Sequence, residues 1–169
     1  MLVSYDLSKI KMLVAEKQAP MRTMFRQVLR EFGVEIVFDS SNPEDAFELF
    51  NHNKPDLVLT DWAPDFDGLG LLRKIRTDPD SEYMQAPVIM VTAYNETSHI
   101  YKALDAGMTE YLSKPLSAKL LYLRIVSVIQ NKRCFIRVNE FIGPDRRLNF
   151  REFSGRNRRI EGNLAAAFG

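Results

Sequence analysis

Two periodicities alternate along the first 130 or so residues, and few architectures accommodate that. Short apolar runs occur at Lys11–Ala15, Val34–Phe38, Asp56–Thr60, Pro87–Thr92 and Glu110–Ser113. The third and fourth are almost continuously apolar, as expected of strands covered on both faces. Longer stretches with helical spacing separate them. Met21, Met24, Phe25, Val28, Leu29 and Phe32 recur at three- and four-residue intervals on one face. Gly33 then ends that run. Asn42-Pro43 reads as a cap followed by proline at the first helical position, ahead of Phe47, Leu49 and Phe50. Leu69, Leu71, Leu72 and Ile75 mark a third helix, and Ile100, Ala103 and Leu104 a fourth, ended by Gly107. A fifth is expected to open at Pro115 and to run to about Asn131. Its apolar residues, from Leu120 to Ile129, cover nearly the whole circumference. That pattern fits a deeply buried helix, or one with a second apolar face for a partner subunit or the C-terminal segment.

Five strands alternating with five helices predict an α/β fold with a doubly wound, parallel sheet. In such sheets the ligand site lies beyond the carboxyl ends of the strands. The lone Cys134 rules out an intramolecular disulfide and fits a reducing cytoplasm. No apolar run approaches the roughly 20 residues that span a bilayer, and no signal peptide or membrane partner is expected. The net charge of +1 conceals an asymmetry. Residues 1–131 hold 14 Lys and Arg against 18 Asp and Glu, whereas residues 132–169 hold 9 against 4. The chain therefore divides into one domain, 1–131, and a basic C-terminal extension, 132–169. The extension reads as an irregular tail, either partly disordered or docking and dimerising. It carries the pattern F-x-G-x-x-R-R twice, from Phe141 and again from Phe153.

The strand ends hold the chemistry. The first strand is followed by Glu16-Lys17, the third by Asp61, the fourth ends at Thr92, and the fifth is followed by Lys114-Pro115. Each alone has a bland explanation as a cap, a strand end or a solvated loop residue. Together they bring acids, a hydroxyl and an amine to one edge of one sheet. These residues lie in KMLVAEKQAPMRTMFRQVLREFGV, PDLVLTDWAPDFDGLGLLRKIR and APVIMVTAYNETSHIYKALDAGMTEYLSKPL. From residue 10 to about 130 the chain resembles the receiver domain of two-component response regulators, most closely the chemotaxis type. The resemblance implies a flavodoxin-like (βα)5 fold and a signalling role rather than an enzyme. Asp61 would accept a phosphoryl group from a histidine kinase or phosphotransfer protein. Thr92 and Lys114 would bind the phosphoryl oxygens, and Tyr111 would be the aromatic switch that turns inward. Mg²⁺ would be held by Glu16, Asp61 and the backbone carbonyl of Ala63. Output would pass to a downstream protein target, with a homodimer through the fourth helix, fifth strand, fifth helix and tail as one route.

Two departures from the family pattern lie near the metal. Three acids would carry three negative charges, whereas Glu16, Lys17 and Asp61 together carry a net of one. Lys17 at this atypical acid-pocket position predicts weak Mg²⁺ binding. The loop from Asp61 to Gly68 is one residue shorter than usual, which makes the Ala63 assignment insecure and offers Asp65 and Asp67 as replacement ligands. Asp67 also fits a helix cap. These departures keep a second function open: a pseudo-receiver acting as a constitutive interaction module. A third is nucleic-acid binding through Phe141, Phe150 and Phe153 among the arginines of the tail. The 38 residues of the extension leave no room for a helix-turn-helix output domain, so nucleic acid is not the expected partner. His52 and His99 have no spacing partners for a metal site.

Overall fold

The computed structural model describes residues 5–146. Five parallel strands form one sheet in the order β2-β1-β3-β4-β5: β1 (Lys11–Ala15), β2 (Ile36–Ser40), β3 (Leu57–Thr60), β4 (Val88–Thr92) and β5 (Glu110–Ser113). Their crossovers are α1 (Ala19–Glu31), α2 (Pro43–Asn53), α3 (Gly68–Thr77) and α4 (Thr97–Asp105), and α5 (Ala118–Gln130) follows β5. Every residue of β3 and β4 is buried, as continuous apolar runs in a two-sided sheet require. Side chains alternate across the sheet and feed two cores. Leu13, Val58, Val88 and Met90 pack with α2, α3 and α4, while Met12, Val14, Leu57, Leu59 and Ile89 pack with α1 and α5. No helix among the described residues is long and apolar enough to cross a membrane.

The second strand starts two residues later than the apolar run predicts. Gly33 takes a positive φ of 89°, and the Val34 N–H returns to the Leu29 carbonyl, so Val34 still belongs to the helix end. The strand instead extends through Asp39 and Ser40. It lies at the sheet edge, where polar residues are tolerated, and Asp39 accepts from Arg22 and Arg26 of α1. The fifth helix opens at Ala118, not at Pro115. Ser117 is its cap, its hydroxyl accepting from the Leu120 N–H. Pro115 follows Lys114 through a cis peptide bond. Much of the apolar excess of α5 is covered from within the chain. Leu121, Ile125 and Val128 are buried, the Tyr5 N–H donates to the Tyr122 hydroxyl, and Phe32 meets the Tyr122 ring edge-on. Leu123 is left exposed.

The extension contains two strands that periodicity had not suggested. β6 (Phe135–Val138) and β7 (Phe141–Pro144) form an antiparallel hairpin joined by Asn139 and Glu140, with Asn139 in the left-handed region at φ 54°. The hairpin lies on its own domain, at the carboxyl ends of α3 and α4. Ile142, Gly143 and Pro144 are buried there. Gly107 and Gly143 allow the approach: a Cβ on Gly107 would lie 2.2 Å from the Ile142 carbonyl oxygen, and one on Gly143 would lie 2.9 Å from the Gly107 Cα. Arg76 is 1% exposed and donates to the Gly107 and Met84 carbonyls, with the Phe135 ring over its guanidinium. Arg146 donates to the Leu104 carbonyl at the end of α4 and stacks on Phe141. The first copy of F-x-G-x-x-R-R thus works as a docking element as far as Arg146. Phe150 and the second copy, from Phe153, lie outside the described residues.

Candidate functional site

The carboxyl ends of β1, β3, β4 and β5 meet at one edge of the sheet, because parallel pairing puts all four loops on the same side. Asp61 is anchored through its backbone, its N–H donating to the Ala15 carbonyl. The residue is 7% exposed; its Oδ1 accepts from the Trp62 N–H at 2.7 Å and Oδ2 lies 3.2 Å from Lys114 Nζ. The same ammonium is 2.8 Å from Glu16 Oε2, so Lys114 bridges the two carboxylates. Glu16 is 1% exposed, and its other oxygen accepts from the Gln18 N–H at the start of α1. Burial raises the Asp61 carboxyl above its ordinary value; Lys114 opposes the rise and the Glu16 charge adds to it.

Gly68 explains the Asp-Gly that follows. A Cβ there would lie 1.7 Å from the Asp61 carbonyl oxygen, so only glycine lets α3 start against the end of β3. Asp67 caps that helix, accepting from the Gly70 N–H at 2.8 Å, so it is not aimed at the acids. The shortened loop closes as a tight reversal in which Ala63 and Phe66 exchange both backbone hydrogen bonds at 3.0 Å. The Ala63 carbonyl therefore already accepts one hydrogen bond. Lys17 reaches out to the rim of the site, where its Nζ lies 2.9 Å from Asp65 Oδ2. That contact holds the Asp65 carboxyl below the usual range. The two sequence departures are thus paired with each other, joining the loop after β1 to the loop after β3. Arg22 braces the first of these loops, donating to the Glu16 and Lys17 carbonyls.

Thr92 is fully buried, and its hydroxyl donates to the Trp62 carbonyl at 2.5 Å. Tyr111 is 1% exposed, with its ring turned inward and its hydroxyl bonded to the Tyr94 carbonyl. Burial pushes the phenol up to about 12. Sequence reasoning missed the aromatic cluster beside it. His99 stacks on Tyr94 with centroids 4.4 Å apart and lies 5.0 Å from the Trp62 ring. No spacing partner for His99 is evident in the sequence; in the structure its Nδ1 lies 3.6 Å from Glu96 Oε2. A cleft of about 770 Å³ exists elsewhere, between the hairpin and the ends of α3 and α4, and none of these strand-end residues lines it.

The chain matches the response regulator receiver domain family over residues 12–126. It belongs to that family. It is 31% identical over 122 residues to chemotaxis protein CheY1 of Helicobacter pylori, a match spanning 71% of this receiver chain and 97% of that protein. It is also 31% identical over 119 residues to the phosphate regulon transcriptional regulatory protein PhoB of Pseudomonas aeruginosa, covering 70% of this chain and 51% of PhoB. Among solved structures, the receiver domain of Francisella response regulator 1452 superposes with a TM-score of 0.66 at 26% identity, covering 74% of this chain and all of that one. A response regulator from Chloroflexus aurantiacus gives 0.64, also at 26% identity, over 72% of this chain and 98% of that one. The protein is therefore a receiver-type signalling module with the flavodoxin-like fold. Receivers are phosphoacceptors that work with histidine kinases or phosphotransfer proteins and with downstream targets.

Receivers generally bind Mg²⁺ at this edge. Among the described residues no group of three or more acidic, histidine or cysteine side chains could hold a metal. Mg²⁺ nevertheless needs only one or two carboxylates when waters and phosphoryl oxygens complete its shell. Glu16 and Asp61 meet that minimum, since they share one ammonium and so already face a common point. The donor set fits a reduced Mg²⁺ site.

Proposed function

We propose that Asp61 is the phosphoacceptor of a two-component signalling relay and that Thr92 and Lys114 receive the phosphoryl oxygens. The observation that carries this is the Lys114 ammonium held between Glu16 and Asp61, the largely buried carboxylate at the end of the central strand. An Asp61 carboxylate oxygen attacks phosphorus, the bond from phosphorus to the donor imidazole nitrogen breaks, and the departing imidazole takes up a proton. The product is an acyl phosphate with about one more negative charge than the carboxylate. Lys114 neutralises part of that charge, and Thr92 offers a hydroxyl once it leaves the Trp62 carbonyl. Glu16 and Asp61 would hold Mg²⁺, which supplies charge neutralisation during transfer. Tyr111, next to Thr92 through the Tyr94 backbone, is the element that reports this change towards α4, β5 and α5. The donor is a histidine kinase or phosphotransfer protein, and the output is a contact with a protein target.

The test is labelling by a small acyl phosphate donor in Mg²⁺. Label is expected in the wild type and none in Asp61→Asn; label that persists in Asp61→Asn refutes the assignment. One observation favours a constitutive interaction module instead: Lys17, a cation, stands where the family's second acid would be, and it pairs with Asp65 of the shortened loop. That reading expects no label and the same target affinity in Asp61→Asn as in the wild type.

A further inference from the structure

We propose that Lys17 is a second phosphoryl-binding cation, which leaves Asp65 to contact the phosphoryl group on Asp61 and makes that state only weakly dependent on Mg²⁺. This rests on the reading of Asp61 as phosphoacceptor. Before transfer a single ammonium serves both carboxylates: Lys114 spans them, at 2.8 and 3.2 Å. Phosphorylation adds about one negative charge to a pocket whose usual third acid is absent. A pocket with three acids needs a divalent ion to tolerate that; a pocket with two needs less. The residue standing where the third acid would be is itself a cation, and Lys17 directly follows buried Glu16.

Lys17 is positioned to move. Its Nζ meets Asp65 at the rim of the site, four residues beyond Asp61 in the chain, and its side chain and that of Asp65 are 51% and 62% exposed. An exposed pair of this kind contributes little and breaks easily. A phosphoryl group offers more charge and up to three acceptor oxygens, so it outcompetes a solvated carboxylate. The backbone need not move with the side chain, because Arg22 holds both the Glu16 and Lys17 carbonyls. Only the four-carbon stem has to turn. Asp65 then serves as the resting partner that keeps Lys17 from neutralising Glu16 or Asp61 before transfer.

Beryllofluoride, a tetrahedral phosphoryl mimic, tests this on the full chain. Trp62, the only tryptophan, directly follows Asp61, and its fluorescence reads binding. With Mg²⁺ replaced by EDTA, the wild type is expected to lose about tenfold or less in affinity. Lys17→Met should lose roughly a hundredfold or more under the same change, and Lys17→Arg should behave like the wild type. Asp65→Asn should tighten binding by roughly threefold by freeing the ammonium. Equal Mg²⁺ dependence in the wild type and Lys17→Met, or weaker binding in Asp65→Asn, overturns the role of Lys17. If no protein responds even in saturating Mg²⁺, including Lys17→Asp with its restored acid, the Asp61 reading itself fails, and this inference with it.

Discussion

Replacing Asp61 by asparagine should stabilise this protein. Asp61 and Glu16 are 7% and 1% exposed, and a single, partly exposed ammonium lies between them, so the three groups carry a net charge of −1. An amide keeps the shape and still accepts from the Trp62 N–H. It leaves Lys114 and Glu16 as a balanced pair at 2.8 Å. Exchanging an imperfectly compensated buried charge for a neutral isostere is worth about 1 kcal/mol at neutral pH. For a chain of this size that is roughly 3 °C in Tm. The sign with pH is fixed by the raised Asp61 value. The folded state disfavours the ionised carboxyl, so the wild type bears the full cost above the folded pKa and recovers as pH falls through it towards the ordinary 3.8. The advantage of Asp61→Asn should therefore be complete at pH 7 and shrink on acidification. Urea denaturation followed by far-ultraviolet circular dichroism at several pH values measures it. A variant no more stable than the wild type at pH 7, or a gain that does not change with pH, refutes the charge-balance reasoning.

Lys17→Asp should strengthen Mg²⁺ binding by roughly tenfold, through an added oxygen ligand and a removed cation, as read by Trp62 fluorescence; unchanged affinity would mean that position 17 does not face the ion. Gly143→Ala should cost about 1–3 kcal/mol, because its Cβ meets the Gly107 Cα, which is backbone and cannot yield cheaply. Limited proteolysis should then remove the hairpin while the receiver core survives, and a hairpin as resistant as the wild type's would contradict the close contact. Asp67→Ala should cost about 1 kcal/mol in thermal unfolding through loss of the α3 cap, with Asp67→Asn restoring most of it; equal losses in both would point to a role other than capping.

Much of the fold was legible because periodicity and burial agree in the central strands. β3 and β4 lie where continuous apolar runs put them, and Asp61, Thr92 and Lys114 fall at strand ends because parallel topology fixes which edge those ends share. The errors have local causes. β2 runs on into Asp39 and Ser40 because an edge strand with arginines on the neighbouring helix accepts polar residues. The hairpin stayed hidden because its strands are four residues long, its turn is Asn-Glu without glycine, and the nearby arginines suggested a solvated tail. Arg76 reads in sequence as a cation at a helix end, yet it is buried, because its acceptors come from distant loops at Gly107 and Met84. The direction taken by Lys17 was equally out of reach, since it depends on where the shortened loop delivers Asp65.

The hairpin also fixes the traffic around this molecule. It is fastened where α3 and α4 end, at the pole of the sheet farthest from Asp61, and Arg146 is pinned there beside the Leu104 carbonyl. A phosphodonor must approach the opposite pole, over the loops that carry Glu16, Asp61 and Lys114. The hairpin and the strand-end loops that carry the acids therefore lie at opposite ends of the fold.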